Sequence, residues 1–113
     1  MRIALDAMGG DFAPAHPVAG VIQALREYGD FSAILVGDEE KVRAEVARHD
    51  TSGLADRLTY HHASQVVDMK DSGLDSVRRK KDSSISRAVD LVKQDKADAV
   101  VSAGHTGALV AAA

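Results

Sequence analysis

Apolar and polar residues recur with two different periods along this chain, and each period predicts one kind of element. Short apolar runs bounded by glycine or polar residues predict buried strands, whereas apolar residues three and four positions apart predict amphipathic helices. The predicted strands are Arg2–Asp6, Ser32–Val36, Arg57–His61 and Asp98–Ser102. The predicted helices run from Pro14 or Pro17 to Gly29, from Glu39 to about Arg48, from Ser72 to about Arg79, and onward from Asp82 or Ser83.

Apolar stripes on the predicted helices indicate which helix faces pack on a sheet. On the charged second helix, Glu39 and Arg43 are also spaced for an i,i+4 ion pair. The stripes consist of Val18, Val21, Ile22, Leu25 and Tyr28 on the first helix, Val42 and Val46 on the second, and Ile85, Ala88, Val89 and Val92 on the last.

The alternation of strands with helices predicts the fold class. It implies right-handed crossovers and a parallel sheet with helices on both faces, a three-layer α/β fold of Rossmann-like type. Ligands of such sheets bind at the carboxyl ends of the strands. We therefore expect Asp6–Asp11, Gly37-Asp38 and Ser102–Gly107 to lie along one edge, although they are far apart in sequence.

Composition narrows the classes of protein to which the chain can belong. The 113 residues suffice for one domain, and the net charge of -3 argues against a nucleic-acid binder. The absence of cysteine excludes disulfides, thiolate metal sites and cysteine nucleophiles, and it favours the cytosol. No apolar run approaches the roughly 18 residues of a membrane-spanning helix. Residues 107–113 open an apolar helix without a terminating cap, so we expect residues 1–113 to be the N-terminal α/β portion of a longer single catalytic unit.

The turn that follows the last predicted strand is a candidate anion site. Here an apolar strand breaks at Ser102–Gly107 and leads directly into a helix, which directs unpaired backbone N–H groups and the positive end of a helix dipole at one point. Phosphate suits such a site. The alternative is that Gly104 and Gly107 merely permit a tight connection. For His105, a hydrogen-bonding role is favoured over that of a general base.

A second candidate segment, Asp6–Asp11, follows the first strand. Gly9 and Gly10 would allow a substrate to approach the backbone closely, while Asp6 or Asp11 would orient a polar group. Because carboxylates repel phosphate, both are given positioning roles. The alternative is a tight loop in which Asp11 caps the next helix. The segment does not fit the dinucleotide-binding pattern G-x-G-x-x-G.

The third candidate segment is the basic run Arg78–Lys81, which concentrates positive charge in an acidic chain. Arg78 and Lys81 could share one helix face, and Ser83 and Ser84 follow at a predicted helix start. The alternative is a solvated surface. If Arg78 and Lys81 share one helix face toward a ligand, Arg79 and Lys80 are available to an acidic partner. No spacing typical of metal ligands is present, and the adjacent histidines at positions 61 and 62 would point to opposite faces of a strand.

These segments together resemble one known family, the acyl-acyl-carrier-protein:phosphate acyltransferases of bacterial phospholipid synthesis. The resemblance covers essentially the whole chain, in order and at the expected spacing. It departs from the family at His105, where members usually have Asn, and in the basic run, which varies. The matching segments are Leu5–Asp11, Ile34–Asp38, Arg78–Ser84, Ala88–Lys93 and Val101–Leu109.

The resemblance implies a fold similar to that of isocitrate and isopropylmalate dehydrogenases. It also implies transfer of a fatty acyl group from the carrier-protein thioester to inorganic phosphate, without cofactor or metal. The implied partners are acyl carrier protein, phosphate, a second copy in a homodimer and a membrane glycerol-phosphate acyltransferase, in the cytoplasm close to the membrane. The implied catalytic residues are Arg78, Lys81 and His105, and the implied binding residues are Asp6, Gly9, Gly10, Asp11, Ser83, Ser84, Ser102, Gly104, Thr106 and Gly107.

Three alternatives remain open at this point. A dehydrogenase of the related fold would need a dinucleotide fingerprint or a metal-carboxylate cluster. A phosphate- or nucleotide-binding module without catalytic activity would bind the anion but form no acyl phosphate. The chain could also be inert on its own and active only within a longer protein.

Overall fold

A computed structural model of the protein describes residues 1–64 and 83–103. Strands and helices alternate along the chain, and a short 3-10 helix at Ala55–Arg57 precedes the third strand. In chain order the elements are β1 (Arg2–Asp6), α1 (Ala15–Glu27), β2 (Ser32–Gly37), α2 (Glu39–Val46), β3 (Leu58–His62), α3 (Ser84–Lys93) and β4 (Ala99–Val101).

The strands form a four-stranded sheet in the order β3-β2-β1-β4. Every neighbouring pair is parallel, and Leu5 of β1 lies between Leu35 of β2 and Val101 of β4. The predicted α/β fold class with a parallel sheet is therefore confirmed. Because β1 and β4 are neighbours, the ends of these two strands meet although 96 positions separate Asp6 from Ser102.

Helices cover both faces of the sheet. Val18 and Leu25 of α1 and Val42 of α2 form a core with the residues of β2 that face them. On the opposite face, α3 packs across β1, β2 and β4 and buries Ala88 and Leu91. The strand period of two explains the division, since successive residues of β2 belong to different cores.

Side chains fix the starts of two helices. The Asp38 carboxylate accepts a hydrogen bond from the Lys41 backbone N–H at 3.2 Å and so caps α2. In the same helix the predicted ion pair is confirmed, since Arg43 Nε lies 3.1 Å from Glu39 Oε2. The Ser83 hydroxyl accepts from the Ser86 N–H at 3.2 Å and caps α3, as one of the two predicted alternatives.

Two predictions about α1 are wrong. Tyr28 was expected to extend the buried stripe, but the helix ends at Glu27, and Tyr28 is extended and 60% exposed. Asp11 was expected as a possible cap, but Pro14 occupies the N-cap position and within residues 1–64 no side chain caps α1. The predicted helix at Ser72–Arg79 lies outside the described residues. Among the described helices, none has the length and apolarity needed to cross a bilayer.

Candidate functional site

The carboxyl ends of β1 and β4 are joined by a buried carboxylate. Asp6 is 3% exposed, and its Oδ2 accepts a hydrogen bond from the Ser102 hydroxyl at 2.9 Å. Its Oδ1 accepts from the Met8 backbone N–H at 3.1 Å. Both oxygens of Asp6 thus hold neighbouring segments in place, which suits the positioning role expected from the sequence.

The glycine pair lies directly above this junction. Gly10 has a φ of +90°, a conformation that side chains other than glycine adopt only with strain. A Cβ atom at this position would lie 3.5 Å from the Ala103 carbonyl oxygen, so the loop contacts the chain that leaves β4. Glycine is required at position 10 by its backbone angle, and the loop is held against the end of β4.

The segment Gly37-Asp38, which the sequence also predicted for this edge, reaches it as well. A Cβ atom on Gly37 would lie 2.6 Å from Met8 Cγ, closer than real Cβ contacts, so any larger residue there would displace the Met8 side chain, which crosses the end of β2. The ends of β4, β1 and β2 therefore lie side by side. The expectation that Asp6–Asp11, Gly37-Asp38 and the start of Ser102–Gly107 share one edge is confirmed for the described residues.

An open cleft of about 340 Å³ lies at the junction of β1 and β4. It brings together four residues predicted from the sequence, namely Asp6, Gly9, Gly10 and Asp11. Among the described residues that line it, two are carboxylates and none is lysine or arginine. The described part of the cleft therefore offers backbone groups and negative charge, so a phosphate bound here would need cations from other residues.

Two aromatic residues of the cleft were missed by the sequence analysis. Phe12 and His16 both line it, and their rings are 4.7 Å apart with an interplanar angle of 30°. Phe12 is 66% exposed and presents an apolar ring at the cleft. In the sequence, Phe12 stands two positions after Gly10, and this short distance from the glycine pair could have indicated a place for Phe12 in the cleft.

The start of α3 lies at the same edge of the sheet. After α3 the chain turns so that the Asp98 N–H donates to the Arg2 carbonyl at 2.7 Å, which places the end of the helix at the amino edge. The 10 residues of α3 rise about 15 Å, so its first turn returns to the carboxyl edge. Ser83 and Ser84 are 0% and 2% exposed there.

Ser86 is a third buried serine in this turn and was not predicted. It is 7% exposed, and its hydroxyl has no hydrogen-bond partner among the described residues. Since buried hydroxyls are normally paired, this one is notable beside the positive end of a helix dipole.

A comparison with known protein families covers the entire chain. A family model described as "Fatty acid synthesis protein" matches residues 1–113. The chain belongs to this family.

Relatives of this family member carry the name phosphate acyltransferase. The protein from Geobacter sulfurreducens is 57% identical over 112 residues, which are 99% of this chain and 32% of the relative. That from Geotalea daltonii is 55% identical, with the same coverage of both chains. That from Herpetosiphon aurantiacus is 50% identical over 100% of this chain and 30% of its own length. The chain thus spans about a third of the length of the relatives it matches.

Several of the site residues predicted from the sequence of this chain lie outside the residues that the structure describes. The described part of the chain also holds no group of three or more His, Asp or Glu side chains arranged for a metal ion. The predicted site residues outside residues 1–64 and 83–103 are Arg78, Lys81, Gly104, His105, Thr106 and Gly107.

Proposed function

We propose that the protein containing this chain transfers a fatty acyl group from an acyl-carrier-protein thioester to inorganic phosphate, as a step of phospholipid synthesis. The observation that best supports this proposal is that Asp6, the Gly9-Gly10 loop and Ser102 meet at an open cleft. It occurs in a chain that is similar over its whole length to proteins named phosphate acyltransferase.

The reaction is phosphorolysis of a thioester. An oxygen of hydrogen phosphate attacks the thioester carbonyl carbon, and a C–O bond forms as the carbonyl oxygen becomes an oxyanion. Collapse of this intermediate breaks the C–S bond. The departing thiolate takes the proton that hydrogen phosphate brought, so that acyl phosphate and the free carrier thiol result. Phosphate is itself the nucleophile, so the reaction needs no cysteine on the enzyme.

Two physical effects would supply most of the acceleration. Holding phosphate against the carbonyl carbon removes the entropic cost of bringing two reactants together, which is worth up to about 7–11 kcal/mol in well-oriented systems. Hydrogen-bond donors that face the carbonyl oxygen stabilise the oxyanion. We assign this second task, together with contacts to phosphate, to the turn that follows Ser102, with the donors Gly104, His105, Thr106 and Gly107.

Phosphate itself is assigned to Arg78, Lys81, Ser83 and Ser84. The position of the α3 start at the carboxyl edge supports this assignment, since a helix N-terminus attracts anions. The unpartnered Ser86 hydroxyl in the same turn is a further polar group suited to a ligand.

The first loop has a different task in this proposal. Gly9 and Gly10 form the wall against which the substrate lies, and Asp6 and Asp11 shape that wall without touching phosphate. Asp6 is already engaged on both oxygens, which supports this division of labour.

The remaining parts of the proposal concern the whole protein. Arg79 and Lys80 are candidates for docking the acidic carrier protein, because opposite charges accelerate such encounters. We further propose an isocitrate-dehydrogenase-like architecture for the complete catalytic unit, a homodimer, and a location in the cytoplasm near the membrane. There a glycerol-phosphate acyltransferase would consume the acyl phosphate.

The decisive assay incubates the natural full-length protein with palmitoyl-acyl carrier protein, with and without inorganic phosphate, and measures palmitoyl phosphate. We expect product only when phosphate is present. The double variant Arg78→Ala/Lys81→Ala should raise the KM for phosphate by about tenfold or more, the effect of losing charge-assisted contacts. Arg48→Ala is the matched control, because this exposed arginine lies outside the cleft.

Other outcomes would identify the rival functions. Phosphate binding without palmitoyl phosphate would indicate a binding module that lacks catalytic activity. An unchanged KM for phosphate in the double variant would remove Arg78 and Lys81 from the site while leaving the reaction in place.

A further inference from the structure

An apolar groove continues from the cleft along the face of the sheet that carries α1. Its volume is about 310 Å³, and Leu5, Pro17 and Val101 line both the groove and the cleft. A single elongated ligand could therefore place one end in the cleft and the rest in the groove.

The groove is apolar along its whole length. Leu5 and Val101 are register partners on neighbouring strands and form its floor, while Val21 lines it from α1. Ile3 and Phe31 lie at its far end. Among the described residues that line it, none carries a charged or hydrogen-bonding side chain. Such a surface suits a hydrocarbon chain, which has no hydrogen bonds to satisfy.

We propose that this groove binds the hydrocarbon chain of the acyl group while the thioester carbonyl lies in the cleft. The inference rests on the proposed function, since an acyl thioester joins an apolar chain to a reacting polar group in this way. Each methylene group that leaves water for an apolar surface strengthens binding about fourfold. Between Pro17 and Ala24, α1 rises about 10 Å, which accommodates several methylene groups.

Gly20 offers a direct means of blocking the groove. It lines the groove from α1, and a Cβ atom at this position would meet nothing within 4 Å among the described residues. A leucine side chain at position 20 would therefore enter open space. The variant is expected to fold, because leucine has a higher helix propensity than glycine. Ala24 also lines the groove, one turn and about 6 Å further from the cleft.

The test compares palmitoyl- and butyryl-acyl carrier protein as substrates of the natural full-length protein. Gly20→Leu should lower kcat/KM for the palmitoyl substrate by about tenfold or more, the value of two or more lost methylene contacts, and leave the butyryl substrate unchanged. Ala24→Leu should cause a smaller loss with palmitoyl, because more of the groove remains open. Gln23→Leu is the control, since Gln23 is exposed on α1 and does not line the groove.

Two results would overturn the inference. If Gly20→Leu retains full activity with both substrates, the acyl chain lies elsewhere. If it loses activity equally with both and its Tm falls, a polypeptide segment rather than an acyl chain covers the groove.

Failure of the proposed function would look different, because the unaltered protein would then form no acyl phosphate from either substrate. Calorimetric binding of palmitoyl-acyl carrier protein in the absence of phosphate tests the groove without turnover. Weaker palmitoyl binding by Gly20→Leu than by the unaltered protein supports the groove, and equal binding overturns it.

Discussion

Removal of the hydrogen bond between Asp6 and Ser102 should destabilise the protein by an amount that the structure allows us to estimate. This bond joins the ends of β1 and β4 and holds the chain on both sides of the cleft. We propose a double-mutant cycle of Asp6→Ala, Ser102→Ala and the combined variant. The cycle isolates this one contact, because the other contacts of each side chain cancel.

The expected coupling energy follows from burial and charge. Asp6 is 3% exposed, and the 2.9 Å bond joins a hydroxyl to a carboxylate. Hydrogen bonds to charged groups contribute about 1.5–3 kcal/mol, so we expect a coupling energy in that range. The Arg48–Glu45 ion pair at 3.1 Å provides a control cycle on the surface, for which at most about 1 kcal/mol is expected.

Urea unfolding of the four proteins, followed by circular dichroism, measures the required free energies. A coupling energy below about 0.5 kcal/mol, no larger than that of an exposed helix pair, would refute the assignment of a buried hydroxyl–carboxylate bond. Under the proposed function the same variants should also slow acyl phosphate formation, since the Gly9-Gly10 loop would lose its support.

Three other predictions concern residues that stabilise the fold around the site. Gly10→Ala should lose about 1 kcal/mol or more of unfolding free energy and impair acyl transfer, whereas Gly53→Ala, with a similar φ of +79°, should lose stability alone. Arg57→Ala should lose about 2 kcal/mol or more in urea unfolding, because the guanidinium donates to the backbone carbonyls of Leu25, Tyr28 and Phe31, and Arg57→Lys should restore only part of it. Hydrogen bonds from the Arg2 backbone and guanidinium lower the pKa of Asp98 from its usual 3.8. The stabilisation that these bonds give is therefore present above pH 3.8 and is lost as the pH falls toward the lower pKa of the folded state. Asp98→Asn should for this reason show a smaller loss of Tm on acidification than the unaltered protein.

The elements of the fold were largely predictable because each has a strong local pattern. The strand at Arg2–Asp6 was predicted with the bounds that the structure shows. Hydrophobic patterns predict the buried face of a helix less well when that helix packs against more strands than usual. Leu91 is 4% exposed but was left out of the α3 stripe, because α3 packs across three strands and buries a wider face than an ordinary surface helix.

The candidate site was predictable as a region but not as a set of contacts. The rule for parallel sheets places Asp6 and Ser102 on one edge, whereas their hydrogen bond depends on β4 adding beside β1 rather than beside β3. No periodic pattern in the sequence predicts the contact between the Phe12 and His16 rings, because this contact depends on the path of one loop.

The charge of the cleft supports the role that we propose for the basic run Arg78–Lys81. Hydrogen phosphate is an anion, and the described lining of the cleft contains Asp6 and Asp11 but no lysine or arginine. At an effective dielectric constant of 20, two unit charges 4 Å apart interact by about 4 kcal/mol, so even one nearby carboxylate weakens phosphate binding substantially. The Met8 and Ser102 hydrogen bonds to Asp6 spread that charge without removing it. Two cations, as in the pair Arg78 and Lys81, would offset two of the negative charges that Asp6, Asp11 and hydrogen phosphate bring together. A phosphate KM that did not depend on that pair would therefore mean that other cations hold the phosphate.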